Sequence, residues 1–353
     1  STVVLGRLVQ GLGTGGQTVA LYVVVARVYP AHLHGRVFAA FSAAWIIPSI
    51  VGPVLAGAVA DYLHWRWVFL GVAILTAVAF VIVYLRLRGL PLRTGEPSRD
   101  PVMRRLAWAT LVAAGALGLS LAGETGAWSP LMVVASLVLI AVGARPLLPP
   151  GTLRARRGLP SVVLMRGLIA GALFGAEIYV PYLLIEEYGF TSTWAGLGLT
   201  TAALLWAAGA EIQGRYGDRL GNRRITLLGI AQLGAATVIA ALTAALSLPA
   251  AVIIAGWALA GGGMGLMYPR LTVLTLAYST PKNQGFNSSA LSISDSIGAS
   301  ATIAAMGLTF VTLNGAGAAG VAYPVVFLMA TLLSLFALVP GLRLGHAREA
   351  SRG

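Results

Sequence analysis

Residues 214–224 read Gly214-Arg215-Tyr216-Gly217-Asp218-Arg219-Leu220-Gly221-Asn222-Arg223-Arg224. Four arginines stand in this short, glycine-punctuated stretch, and the runs on either side, 193–212 and 225–246, hold Glu211 as their only ionisable residue. An apolar run of ~20 residues is long enough to cross a bilayer as a helix. A basic loop between two such runs stays on the cytoplasmic side, because moving it across is disfavoured. One loop therefore predicts two spans and their direction.

The pattern repeats along the chain. Eleven apolar segments lie near 3–25, 38–60, 67–85, 106–123, 129–144, 162–185, 193–212, 225–246, 249–268, 289–312 and 322–342. Of the 24 Lys and Arg residues, 22 fall in every second gap. Arg27 and Arg36 follow the first segment, and a run from Arg86 to Arg105 follows the third. Arg145, Arg154, Arg156, Arg157 and Arg166 follow the fifth, the quoted loop the seventh, Arg270 and Lys282 the ninth, and Arg343, Arg348 and Arg352 the eleventh. Arg66 alone sits in an opposite gap, and Arg7 lies inside the first segment. The expectation is an all-α polytopic protein of the plasma membrane, with eleven spans and a cytoplasmic C-terminus.

Composition agrees. The chain has 353 residues, 58% of them hydrophobic and 10% charged, with mean hydropathy +0.84; a soluble domain is less apolar. A net charge of +13 would ordinarily raise nucleic acid as a partner. Here the arginines are spread over six loops without stacking aromatics, so topology explains them and no nucleic-acid partner is expected. Cysteine is absent, which excludes disulfides and thiolate metal sites. Two connections, 86–105 and 145–161, combine prolines with arginines and read as linkers. They bracket a pair of uncharged runs, 106–123 and 129–144, which looks inserted between two larger bundles. Gly11 and Gly15, Gly167, Gly171 and Gly175, and Gly261 and Gly265 have the small-xxx-small spacing that lets membrane helices approach closely.

No enzyme constellation emerges. Gly11-Leu-Gly-Thr-Gly-Gly16 matches the dinucleotide fingerprint in letters, but it lies within an apolar span and not between a strand and a helix. The only lysine, Lys282, follows Pro281, so no Walker A loop exists. We expect neither cofactor nor metal, and a solute moved by this protein would be driven by an ion gradient or by its own.

Ionisable groups inside spans carry the functional expectation, since each costs roughly 2.5–3.5 kcal/mol at a helix centre on insertion scales. Glu177 lies eleven residues after Arg166, ~16 Å along the helix, near the bilayer midplane. At 100° per residue it projects about 160° from Gly175, so the glycine stripe can pack while the carboxylate faces a cavity, where it would exchange protons, or hydrogen-bonds to another helix as a structural carboxylate. Asp295 belongs to a polar stripe with Ser288, Ser292 and Ser296. That stripe suits a water-filled path, and equally a carboxylate held by serines at a helix end.

Three motifs resemble those of the major facilitator superfamily, and within it the drug/proton antiporters. Arg7-Leu-Val-Gln10-Gly11-Leu-Gly13 is similar to the family's fourth-helix motif, in which the arginine is implicated in proton coupling. Pro48-Ser-Ile-Val-Gly52-Pro53-Val-Leu-Ala56-Gly57 resembles the fifth-helix antiporter motif, whose glycine and proline bend and closely pack that helix. Pro48 and Ala56 stand where that motif usually has glycine. Trp65-Arg66-Trp67-Val68-Phe69 is similarly typical of the next span. The 214–224 loop resembles the second copy of the signature cytoplasmic loop, and the resemblance implies a gating role for Gly214, Asp218, Arg219, Gly221, Arg223 and Arg224.

The resemblance covers essentially the whole chain and implies a 14-helix member whose first three helices precede Ser1. Residues 1–88 would then be the remainder of an N-terminal bundle, 89–161 two extra helices with basic linkers, 162–343 a six-helix C-terminal bundle, and 344–353 a cytoplasmic tail. The function it implies is proton-coupled export of small amphipathic solutes or drugs by alternating access, by a monomer among membrane lipids. Solute and protons are the expected partners, with Arg7, Glu177 and Asp295 as candidates for proton coupling. A facilitator or symporter importing a nutrient is the alternative, followed by a transport-like receptor or scaffold.

Overall fold

The computed structural model describes residues 2–44, 65–88, 102–122 and 128–344, together with Val59. Among them every regular element is helical. Helices α1 (Thr2–Val28), α2 (His34–Ala44) and α3 (Trp65–Leu87) come first, then the pair α4 (Val102–Leu121) and α5 (Ser129–Ala144). The remainder forms α6 (Leu159–Glu177), α7 (Tyr179–Glu186), α8 (Ser192–Leu220), α9 (Asn222–Leu246), α10 (Ala250–Ala277), α11 (Gln284–Gly315), α12 (Ala319–Phe336) and α13 (Leu338–Leu342). Seven helical stretches among the described residues are long and apolar enough to cross a membrane, one in α3 and six from Leu159 to Leu342. The other four expected spans fall on α1, α2, α4 and α5, in part outside the described residues.

Local sequence sets the boundaries. Pro160 occupies the first turn of α6, where a missing N–H costs nothing. The Thr191 hydroxyl caps α8 by accepting from the Trp194 amide at 3.4 Å. Gly221, at φ 79°, turns the chain from α8 directly into α9. Pro181 ends α6: it offers no N–H to the Glu177 carbonyl four residues before it, and the helix breaks at Ile178 before resuming as α7.

Helix α10 stands between α8 and α9, α9 packs on α12, and α6 packs on α12 and α11. Glycines set the closest approaches. A Cβ on Gly261 or Gly265 would lie 1.9 or 2.0 Å from the carbonyl oxygens of Ala202 and Trp206 on α8. One on Gly298 would lie 1.9 Å from the Gly167 carbonyl oxygen, while Gly171 and Gly175 face Thr302. Two of the three predicted glycine stripes thus mark helix–helix seams. Gly11 and Gly15 meet nothing within 4 Å among the described residues.

Helices α4 and α5 pack chiefly on each other, and the pair leans on α11 through Leu119, Ile140 and Ala304. Helix α3 exposes its apolar side chains along its length, Leu75 at 71% and Phe80 at 68%. Such a surface suits hydrocarbon, where a helix satisfies its own backbone.

Three helices run past the expected span ends: α8 to Leu220, α10 to Ala277 and α11 from Gln284. The added turns of α8 and α10 carry Asp218 and Arg270, which pair with each other.

Candidate functional site

Among the described residues the deepest charge is Arg166. Its place in the count of loop arginines was wrong: it lies on α6, 2% exposed. Its Nε donates to Asp295 Oδ1 of α11 at 2.8 Å, and its Nη1 donates to the Tyr268 carbonyl at 2.8 Å and the Thr272 hydroxyl at 3.2 Å. The Tyr268 hydroxyl donates to the other Asp295 oxygen at 2.7 Å, and the guanidinium carbon lies 3.1 Å from the centre of the Tyr268 ring. Thus α6, α10 and α11 meet at a closed network that satisfies both oxygens of one carboxylate. A buried charge is tolerated on that condition. Ser294, next to Asp295, donates to the Val163 carbonyl at 2.7 Å and fixes the same seam. Of the predicted serine stripe, Ser288 is buried and Ser296 exposed.

Glu177 sits differently. It is half-buried at the end of α6, where the Pro181 break leaves its carbonyl without a helical partner. Among the described residues no side chain hydrogen-bonds or ion-pairs with its carboxylate. Gly175, two residues earlier, faces Thr302 and Met306 of α11, so Glu177 points away from that seam.

A second charged cluster lies at the end of the bundle that carries the basic loops. Arg270, also counted as a loop residue, lies within α10, 7% exposed. It donates from Nη1 to Asp218 Oδ1 at 2.8 Å and from Nε to Asn222 Oδ1 at 2.7 Å. Gly217 leaves room for this contact, since a Cβ there would lie 3.1 Å from Arg270 Nη1. Gly214 meets α2: a Cβ on it would lie 2.8 Å from Ala39 Cβ and 3.3 Å from the Gly35 carbonyl oxygen. The Gln213 amide is buried there, beside a small cavity of about 30 Å³ shared with His32, Asp218 and Arg270. Val25, Phe38 and Leu276 form an apolar cluster where α1, α2 and α10 meet, with Tyr22 edge-on to Phe38 at 5.5 Å. At this end the helices before α3 are closed against those after α6.

The sequence has relatives among known proteins. The family model described as Major Facilitator Superfamily matches residues 1–301 and 162–352. The chain belongs to the major facilitator superfamily. It is 29% identical over 232 residues to the multidrug export protein EmrB of Escherichia coli, covering 62% of this chain and 44% of that protein. It is 27% identical over 234 residues to the probable multidrug resistance protein EmrY of Escherichia coli, with the same coverage of 62% and 44%. The chain thus spans less than half the length of these curated relatives. A crystal structure of the human organic anion transporter MFSD10 (TETRAN) is similar at TM-score 0.43 and 19% identity, covering 93% of this chain and 91% of that one.

In this superfamily member the predicted site residues scatter. Asp295 belongs to the Arg166–Tyr268 network, whereas Glu177, on α6, is not part of it. Arg7, Gln10 and Gly11 lie on α1, and the side chain of Arg7 is outside the described residues, as are Gly52, Pro53 and Gly57 of the antiporter motif. The expected 214–224 loop is mostly helix: Gly214 and Asp218 lie in the last turns of α8, with Asp218 ion-paired, and only Gly221 forms the turn into α9. Arg166, Tyr268 and Arg270 were not foreseen. A signal existed for the arginines: Leu159–Met165 and Gly167–Ala176 flank Arg166 without a charge, and Leu271–Ala277 stays apolar after Arg270.

Proposed function

We propose that this chain is part of a secondary active transporter that exports small amphipathic solutes in exchange for protons. Membership of the superfamily supports transport by two bundles alternating about a central site, and the names of the matched export proteins support the direction. With the basic loops on the cytoplasmic face of the plasma membrane, the closed seam of α1, α2, α8 and α10 is the cytoplasmic gate. The structure is then closed towards the cytoplasm. Gly214, Asp218, Gly221 and Arg270 hold that gate.

The observation that carries proton coupling is Glu177, an intramembrane carboxyl group without a counter-charge among the described residues, at a proline-set helix break. An ionised carboxylate is costly in that setting, so gaining and losing a proton as access alternates is the role it fits. Asp295, held by Arg166 and Tyr268, is already compensated and serves as the fixed charge of the same bundle. Arg7 on α1, by its resemblance to the fourth-helix motif, tunes the central site from the opposite half.

Everted membrane vesicles containing the full-length protein test this. An imposed proton gradient is expected to drive uptake of a fluorescent amphipathic cation. Glu177→Gln is expected to abolish gradient-driven uptake while leaving solute exchange at equal pH intact. If Glu177→Gln transports as well as wild type at every pH, the carrier assignment is wrong. Gradient-driven loss of solute from the same vesicles would reverse the direction.

A further inference from the structure

Beyond the Asp218–Arg270 contact, the basic end of the C-terminal bundle encloses a cavity of about 820 Å³. Five arginines line it from three separate stretches of chain: Arg157 before α6, Arg219, Arg223 and Arg224 across the α8–α9 junction, and Arg343 just after α13. The single carboxylate in its wall, Asp218, is already bound by Arg270. Among the described residues Arg157, Arg219, Arg223 and Arg224 have no hydrogen-bond or ion-pair partner. Arg343 donates to the carbonyls of Arg154 and Ala155, both at 2.8 Å, which anchors its side chain without cancelling its charge.

The backbone adds to the same field. Helix α9 begins at the cavity wall, and Gly221 before it has no side chain to cap it. The one amide that could serve, that of Asn222, accepts from Arg270 instead. The first N–H groups of a helix have no acceptor within it, and the helix dipole is positive there. Acidic residues stabilise such a position, yet Arg223 and Arg224 occupy it. Membrane topology asks for basic residues in these loops. It does not ask that three stretches bring them to one cavity, nor that Arg223 and Arg224 oppose a helix dipole.

We propose that this cavity is a binding site for a phosphate-bearing anion, whether a soluble phosphate or the headgroup of an anionic phospholipid. Guanidinium forks match phosphate oxygens in pairs, and a helix N-terminus completes such a site. A bound anion ties the α8–α9 junction to the start of α6 and the end of α13, so it braces the end of α8 that carries Asp218. The proposal does not depend on Glu177 or on the direction of transport.

Two measurements on the full chain test it. Titration calorimetry in a neutral detergent uses inorganic pyrophosphate as the soluble probe. Native mass spectrometry after reconstitution in phosphatidylcholine with added phosphatidylglycerol counts retained anionic lipid. The double variant R223Q/R224Q is expected to weaken binding at least tenfold in one or both arms. R86Q/R88Q, which removes the same charge from a different basic loop, is expected to change it less than twofold. Loss in the first arm alone assigns a soluble phosphate, loss in the second alone a lipid headgroup, and loss in both a site open to either. If neither probe binds saturably, or if both variants weaken binding equally, the cavity is only part of a generally basic surface and the proposal fails. Should R223Q/R224Q not be monodisperse, R157Q, from a separate stretch of chain, is held to the same tenfold criterion.

Discussion

Replacing Asp295 by asparagine isolates the electrostatic part of the buried network. The side chain keeps its shape, and its amide oxygen can still accept from Arg166 Nε. What is lost is the negative charge facing a guanidinium whose side chain is 3% exposed, Asp295 itself being 23% exposed. The acceptors left to Arg166, the Tyr268 carbonyl and the Thr272 hydroxyl, are neutral. Breaking a buried pair on one side costs about 3–5 kcal/mol. Because Asp295 has some contact with solvent and asparagine keeps a hydrogen bond, the lower end applies, about 3 kcal/mol. At roughly 2–4 °C per kcal/mol for a unit of this size, the melting temperature should fall by about 6–12 °C. Purified protein heated in steps, with the monodisperse fraction read by size exclusion, measures this directly. The double variant Arg166→Met with Asp295→Leu removes both charges and is expected to recover most of the loss. A fall below about 2 °C for Asp295→Asn, or a double variant melting lower still, would refute the closed network.

Gly298→Ala is expected to be among the most damaging alanine substitutions, because its Cβ would meet the Gly167 carbonyl oxygen at 1.9 Å and backbone cannot step aside. Gly285→Ala, on the same helix but facing open space, is the control; equal melting of the two would overturn the close approach of α6 and α11. Arg270→Gln is expected to loosen the seam, since it gives up contacts to both Asp218 and Asn222. The chain has no cysteine, so the maleimide reactivity of Ala39→Cys reports on that seam. It should rise several-fold with Arg270→Gln, and an unchanged rate would mean that the contact does not hold the gate.

The helical, many-span architecture was legible because apolar length and arginine placement both follow from the bilayer, a solvent that acts on every residue alike. The 214–224 stretch was legible because glycines at fixed positions leave a readable trace: Gly221 turns at φ 79° and Gly214 admits α2. Charges used inside the fold were harder to see. Arg166 and Arg270 obeyed the topological pattern, so that pattern accounted for them and hid their second role. Their partners Asp295 and Asp218 lie 129 and 52 residues away, separations that no local periodicity encodes. Glu177 stood out because it is an acid in a span, a position for which topology offers no other reason.

Helix α10 brings these features into one argument. Tyr268 and Arg270 flank Pro269, and at 100° per residue they point to nearly opposite faces. Tyr268 bonds Asp295 on the side of α6 and α11, whereas Arg270 bonds Asp218 and Asn222 on the side of α8 and α9. Val273 and Leu276, one and two turns further on, pack into the apolar cluster with α1 and α2. The buried ion pair and the gate are therefore attached to one rod. Pro269 has no N–H for the Gly265 carbonyl, so the rod bends most cheaply between its two attachments. If it moves as one body, the losses from Asp295→Asn and Arg270→Gln do not add, and their cycle shows a coupling above about 0.5 kcal/mol although no bond joins the two sites. If Pro269 acts as a free hinge, the two losses add within error, and whatever happens at Asp295 reaches the gate by some route other than α10.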